Sequence, residues 1–165
     1  MRDIEWRWKN SKTAAENAAK VFPKLVKRYF KAGRAALDKE RSWDELHEFR
    51  LESKHFRYSL ELFRPVYGEA LDERLQMLKK LQQILGDIND AVATSQLLKS
   101  HSAYDQLRKE LDDRAEQKTH KLMEFWRDTF DAPGQLELWE EVLAGEVEAP
   151  EPAPELKPVA ELREV

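Results

Sequence analysis

Along the 165-residue chain, apolar residues recur three and four positions apart in four long stretches, the period of a helix with one buried face. The first stretch carries Phe22, Leu25, Val26 and Tyr29, and the second Leu46, Phe49, Ser53, Phe56, Leu60 and Phe63. The third carries Leu71, Leu75, Leu78, Leu85, Ile88 and Val92, and the fourth Tyr104, Leu107, Leu111, Ala115, Leu122, Phe125 and Trp126. Start signals precede them. Thr13-Ala-Ala-Glu16 and Ser42-Trp-Asp-Glu45 are capping boxes, and Ser102 ahead of Asp105 reads as an N-cap. Pro23 is a candidate kink, Pro65 and Gly68 are expected to stop the second helix, and Asp131-Ala-Pro-Gly134 to stop the fourth.

The pattern predicts an all-α fold, a four-helix bundle of long antiparallel helices over about 13–38, 42–66, 69–99 and 103–131. A short helix is expected around Leu136–Leu143. The bundle domain is expected to span 1–144. The remainder, 145–165, is rich in Glu and Pro and is expected to be a disordered acidic tail, because it cannot bury enough apolar surface to offset its ordering entropy.

Composition narrows the chemistry. There is no cysteine, hence no disulfide, thiolate zinc site or Cys nucleophile. Five Trp argue against global disorder. No apolar run approaches the roughly 20 residues of a membrane span, and the opening residues lack the apolar centre of a signal peptide, so a cytoplasmic location is expected. Charge is unevenly placed. The whole carries −4, yet residues 1–39 hold 11 Lys/Arg against 4 Asp/Glu. On the first helix Lys20, Lys24, Lys27, Lys31 and Arg34 fall opposite the apolar set, a pattern that suits either a solvated face or an anion-binding one.

The second helix is the informative one. His47, Arg50, Lys54, Arg57, Tyr58 and Glu61 share a stripe directly beside the apolar stripe, bounded on its other side by Leu51 and Leu62. Glu48, Glu52, His55 and Ser59 fall on the remaining, wettest face. Solvation alone would set the cations opposite the core. A cation on each turn, about 5.4 Å apart, suits an extended polyanion better than a single carboxylate. Arg supplies a fork for phosphate oxygens and Lys a point charge. Protonated His47 donates as well, which would tighten binding toward acidic pH. A salt-bridge network with acids such as Glu61 fits the same spacing.

His47-x2-Arg50-x3-Lys54-x2-Arg57-Tyr58, followed by Leu60-Glu61-Leu62-Phe63, resembles the signature of the CHAD family, the conserved histidine α-helical domain. Leu78-Lys79-Lys80-Leu81-Gln82-Gln83-Ile84-Leu85-Gly86-Asp87-Ile88-Asn89-Asp90 resembles that family's Leu-Gln-x2-Leu-Gly-x2-Asn-Asp segment. The likeness is firm over residues 42–99. It implies an all-helical domain that binds inorganic polyphosphate through Lys, Arg and His, with His47, Arg50, Lys54 and Arg57 as ligands. It further implies a setting beside a triphosphate-tunnel enzyme or among polyphosphate granule proteins. Full domains of the family usually contain two related bundles, each with a His/Arg helix. This chain has one, closer in type to the second, which leads us to expect a symmetric homodimer that duplicates the basic helix.

Further candidate ligands lie on the neighbouring helices. Arg74 shares the apolar side of the third helix with Gln82 and Asn89 and needs an anionic partner. Lys79 sits at the edge of that face, and Lys80 away from it. On the fourth helix Lys118 lies within the apolar stripe and Arg114 and Lys121 flank it. These cations either converge on one anion-filled groove or form separate salt bridges. Glu52-x2-His55 matches one element of a di-iron bundle whose other elements are missing, and no nucleotide loop or nucleophile arrangement occurs. A non-catalytic binder without metal or cofactor is therefore expected. The rivals are an RNA-backbone binder, disfavoured by the pI near 5.7, and a protein-interaction bundle.

Overall fold

The structure, a computed structural model, describes residues 9–38 and 42–145. The expected acidic tail beyond Gly145 lies outside the described residues. The first helix, α1 (Ala14–Ala36), runs unbroken through Pro23. Next come α2 (Trp43–Leu62), the single turn α3 (Arg64–Tyr67), and a 3₁₀ turn, Gly68–Leu71, leading into α4 (Asp72–Leu98). A second 3₁₀ turn, Ser102–Tyr104, opens α5 (Asp105–Phe125), which ends in a π turn at Trp126–Phe130. The last helix is α6 (Gln135–Ala144). The four expected long helices and the short C-terminal one are all present.

Both capping boxes form. The Thr13 hydroxyl accepts the Glu16 amide at 3.2 Å while the Glu16 carboxylate accepts the Thr13 amide at 2.8 Å. Ser42 and Glu45 repeat the exchange at 3.2 and 2.6 Å. Accepting a backbone N–H holds both carboxyls below their ordinary range. Two other signals resolve differently. The second helix ends at Leu62, with Phe63 as its C-cap, short of the expected 66; Pro65 sits in the first turn of α3, where its missing N–H leaves no bond unmade, and Gly68, with φ of +58°, ends that turn. Ser102 does not cap α5. Tyr104 occupies the N-cap without a side-chain bond, because Ser102 is taken into the preceding 3₁₀ turn.

Neighbouring long helices run antiparallel, in the order α6, α1, α2, α4, α5. Cross-helix pairs fix each register: Phe22 with Phe63 and Tyr29 with Phe56, His47 with Asn89 and Arg57 with Gln82, Ser95 with Asp112 and Lys118 with Asp87. The end of α5 closes the bundle by returning to α1, where Trp126 meets Tyr29 and Phe30. Gly33 permits this: a Cβ there would lie 2.2 Å from the Trp126 ring. Phe22, Phe30, Phe49, Phe130 and Trp139 are fully buried, and each large side chain so buried stabilises by about 1.5–3 kcal/mol.

The 27 residues of α4 span about 40 Å and the 20 of α2 about 30 Å, so the far end of α4 outruns its neighbour. Trp43, at the start of α2, already lies beside Val92, Ala93 and Gln96. The early part of the expected α5 stripe is therefore uncovered. Tyr104 and Leu107 are exposed, and burial on α5 begins at Ala115.

Candidate functional site: the groove between α2 and α4

The apolar face of α2 is as expected, with Leu46, Phe49, Ser53, Phe56 and Leu60 buried. The cation stripe beside it faces α4. Of the two flanking leucines, Leu51 is half-buried but Leu62 is 76% exposed and gives little shelter; the opposing helix covers the stripe. On the other side of α2, Glu48 and His55 are exposed as expected, whereas Glu52 and Ser59 are half-buried in a hollow shared with α1.

A relay of polar contacts crosses three helices here. Tyr29 on α1 meets the Ser53 hydroxyl at 2.7 Å, and Ser53 donates to the Phe49 carbonyl at 2.8 Å, so Tyr29 is the donor of the first bond. Burial pushes the Tyr29 hydroxyl well above its ordinary pKa. Gln82 on α4 donates to the Ser53 carbonyl at 2.7 Å and accepts from Arg57 Nε at 2.7 Å. Arg57 also pairs with Glu61 and stacks on the Tyr58 ring, its Cζ 4.5 Å from the centroid. Two turns further along α4, His47 Nδ1 donates to Asn89 Oδ1 at 2.7 Å, leaving Nε2 as the other ring nitrogen. A hollow of about 370 Å³ lies beside this pair, lined by Trp43, Leu46, His47, Leu85 and Asn89.

Between these two ties stand Arg50 and Lys54, four residues apart on one face and about 6 Å along the axis. Both are half-buried, and neither has a hydrogen-bond or ion-pair partner among the described residues. The facing stretch of α4 presents Gly86, where a Cβ would meet nothing within 4 Å. Lys79 is exposed two turns earlier on the same face. It helps to hold the Asp72 carboxyl below its ordinary range, behind the hydrogen bond from Arg64.

The remaining candidates do not join this groove. Lys118 binds Asp87 at 2.5 Å across the α4–α5 interface, and Lys121 lines a separate hollow there with Lys80, Glu124 and Asp128. At 100° per residue, Asp87 and Lys80 fall on the α5 side of α4, away from Gln82, Gly86 and Asn89. Arg114 is exposed on α5, one turn before Lys118. Arg74 is nearly buried and pairs with Glu73 at 2.7 Å, while its Nε has no partner. The α1 row lies across α2 from the groove. There Lys27 reaches Glu140 at 2.7 Å and Arg34 grips Asp131 through two bonds of 2.7 and 2.8 Å, while Lys20, Lys24 and Lys31 are exposed.

Gln82 and Asn89 are the site residues whose role composition concealed: neutral amides on an apolar face carry no charge signal. Their placement one turn before and one turn after a mid-helix glycine was the available clue. Among the described residues no group of His, Asp and Glu is arranged to hold a metal ion, and no helix is long and apolar enough to cross a membrane.

The family model of the CHAD domain matches residues 4–99, more than half of the chain and all of α1 to α4. The chain belongs to the CHAD family. CHAD domains are associated in general with polyphosphate binding. No curated protein and no solved structure matches the chain. The CHAD match ends where α4 ends, so α5 and α6 complete the bundle outside it.

Proposed function

We propose that this CHAD protein binds inorganic polyphosphate, without catalysis, in the groove between α2 and α4. The observation that carries the reading is the contrast within one stripe. His47 and Arg57 are tied to α4, while Arg50 and Lys54 between them are half-buried with no partner among the described residues. Leaving a cation in a half-sheltered groove unpaired is unfavourable unless an anion from outside completes it. Arg50 offers a fork for two oxygens of one phosphoryl unit and Lys54 a point charge for the next. Lys79, exposed on the facing side of α4, extends the row. A symmetric homodimer, a cytoplasmic or granule setting and partnership with a triphosphate-tunnel enzyme belong to the same reading. The exposed Leu97, Tyr104 and Leu107 near the α4–α5 turn favour self-association.

The test is competition binding of the full chain with long-chain polyphosphate against tRNA at equal phosphate concentration, over a range of salt. Polyphosphate should displace tRNA, and affinity should fall linearly in log–log form with salt as counterions are released. Displacement in the opposite direction overturns the reading in favour of a nucleic-acid binder. Charge reversal belongs at Arg50 and Lys54, because Arg57 also ties the helices together. Light scattering that finds a monomer with full affinity would remove the dimer from the proposal.

A further inference from the structure

Gly86 has no visible task in the fold. It stands in the middle of α4, fifteenth of 27 residues, where a glycine weakens a helix relative to alanine. Its φ is not positive; among the described residues only Gly68 and Gly134 have that conformation. Nothing approaches it closely, since an added Cβ would meet no atom within 4 Å. Gly33 is the opposite case, with Trp126 packed into the space its side chain would fill.

The register says what Gly86 faces. With His47 opposite Asn89 and Arg57 opposite Gln82, the antiparallel pairing sets Gly86 across from residues 50–53. The open space on α4 thus lies opposite Arg50 and next to Lys54, the two cations without a partner among the described residues. A side chain at this point would project into open space beside the face of α2 that carries Arg50 and, one turn on, Lys54.

We infer that Gly86 is a specificity-determining residue: its missing side chain forms a notch that admits a bare phosphoryl group between Arg50 and Lys54 and rejects a sugar-phosphate backbone. This rests on the polyphosphate reading above. A phosphoryl unit of a polyphosphate chain carries nothing but oxygen, so it enters a space one side chain wide. A nucleic-acid phosphate brings a ribose on each side and is held at the rim, by charge alone.

The experiment compares the full-length protein with G86A and G86L in three measurements: the thermal midpoint, the affinity for long-chain polyphosphate, and the affinity for tRNA. Both variants should fold, G86A with a raised midpoint because the added methyl meets open space. G86L should lose about tenfold in polyphosphate affinity, the loss of one charge-assisted hydrogen bond, while tRNA affinity changes less than about twofold. Unchanged polyphosphate affinity in G86L overturns the notch, and so does an equal loss for both ligands. A lowered midpoint in G86A overturns the claim that the space is open. Failure of the unsubstituted protein to bind polyphosphate defeats the parent reading instead, and the notch with it.

Discussion

Two rows of cations, one on α1 and one on α2, look alike as strings of residues but sit in different physical settings. The α1 row faces away from the core, and its two paired members reach acids on and just before α6, Lys27 to Glu140 and Arg34 to Asp131. Hydrogen bonding to Asp131 pushes the Arg34 guanidinium further above its ordinary range, and Asp131 in turn accepts from the Trp126 indole at 3.2 Å. This row fastens the end of the bundle, and its remaining lysines are solvated. The α2 row is pressed against α4 and its middle is left open. Cations near a surface contribute little by themselves; half-buried ones without a partner among the described residues cost free energy. Exposure and pairing, not the number of charges, separate a fastening from a site.

The largest expected effect tests the α2 row. R50E/K54E should lower polyphosphate affinity by at least about a hundredfold, since each charge-assisted hydrogen bond contributes about 1.5–3 kcal/mol. Far-UV circular dichroism should stay unchanged, because neither side chain ties helices together. Retained affinity would move the site elsewhere.

Next in size, G33A should destabilise by about 1–3 kcal/mol in urea unfolding, because Trp126 must leave its place to admit the methyl group. An unchanged midpoint would show that the junction between α1 and the π turn is loosely packed.

A smaller loss, on the order of 1 kcal/mol, is expected for Q82L. It deprives Arg57 of its amide partner and the Ser53 carbonyl of a donor. The same unfolding measurement reads it. K24E/K31E on α1 should change polyphosphate affinity by less than about threefold, a long-range charge effect that 0.15 M salt largely screens. A loss matching that of R50E/K54E would make the two rows one site.

The smallest effect concerns pH. Folding depresses the Glu45 pKa, so its contribution is present above the ordinary carboxylate range and fades as pH falls through the folded value. E45Q should flatten the acid limb of a plot of thermal midpoint against pH. An acid limb identical to that of the parent protein would show that the carboxylate adds nothing beyond its hydrogen bonds.

How much could be read from the residues varies along the molecule. Capping boxes at Thr13 and Ser42 depend on contacts three residues apart and form as written. The buried face of α2 follows from periodicity for the same local reason. Ser102 misleads because a 3₁₀ turn competes for it, and Tyr104 and Leu107 mislead because their cover depends on the length of another helix. The cation stripe was visible as a stripe. Its division into tied and open members was not, since Gln82 lies 25 residues from Arg57 and Asn89 lies 42 residues from His47.

Local patterning, through the 3.6-residue period and capping chemistry, was sufficient to settle that this chain is all-helical, with its second helix carrying cations beside its apolar face. The CHAD motifs were equally plain in the linear order. Only the tertiary structure decided which cations are satisfied, because pairing depends on the antiparallel register of α2 against α4. A shift of a single turn would bring a different side chain opposite Arg50 and close the gap that Gly86 leaves.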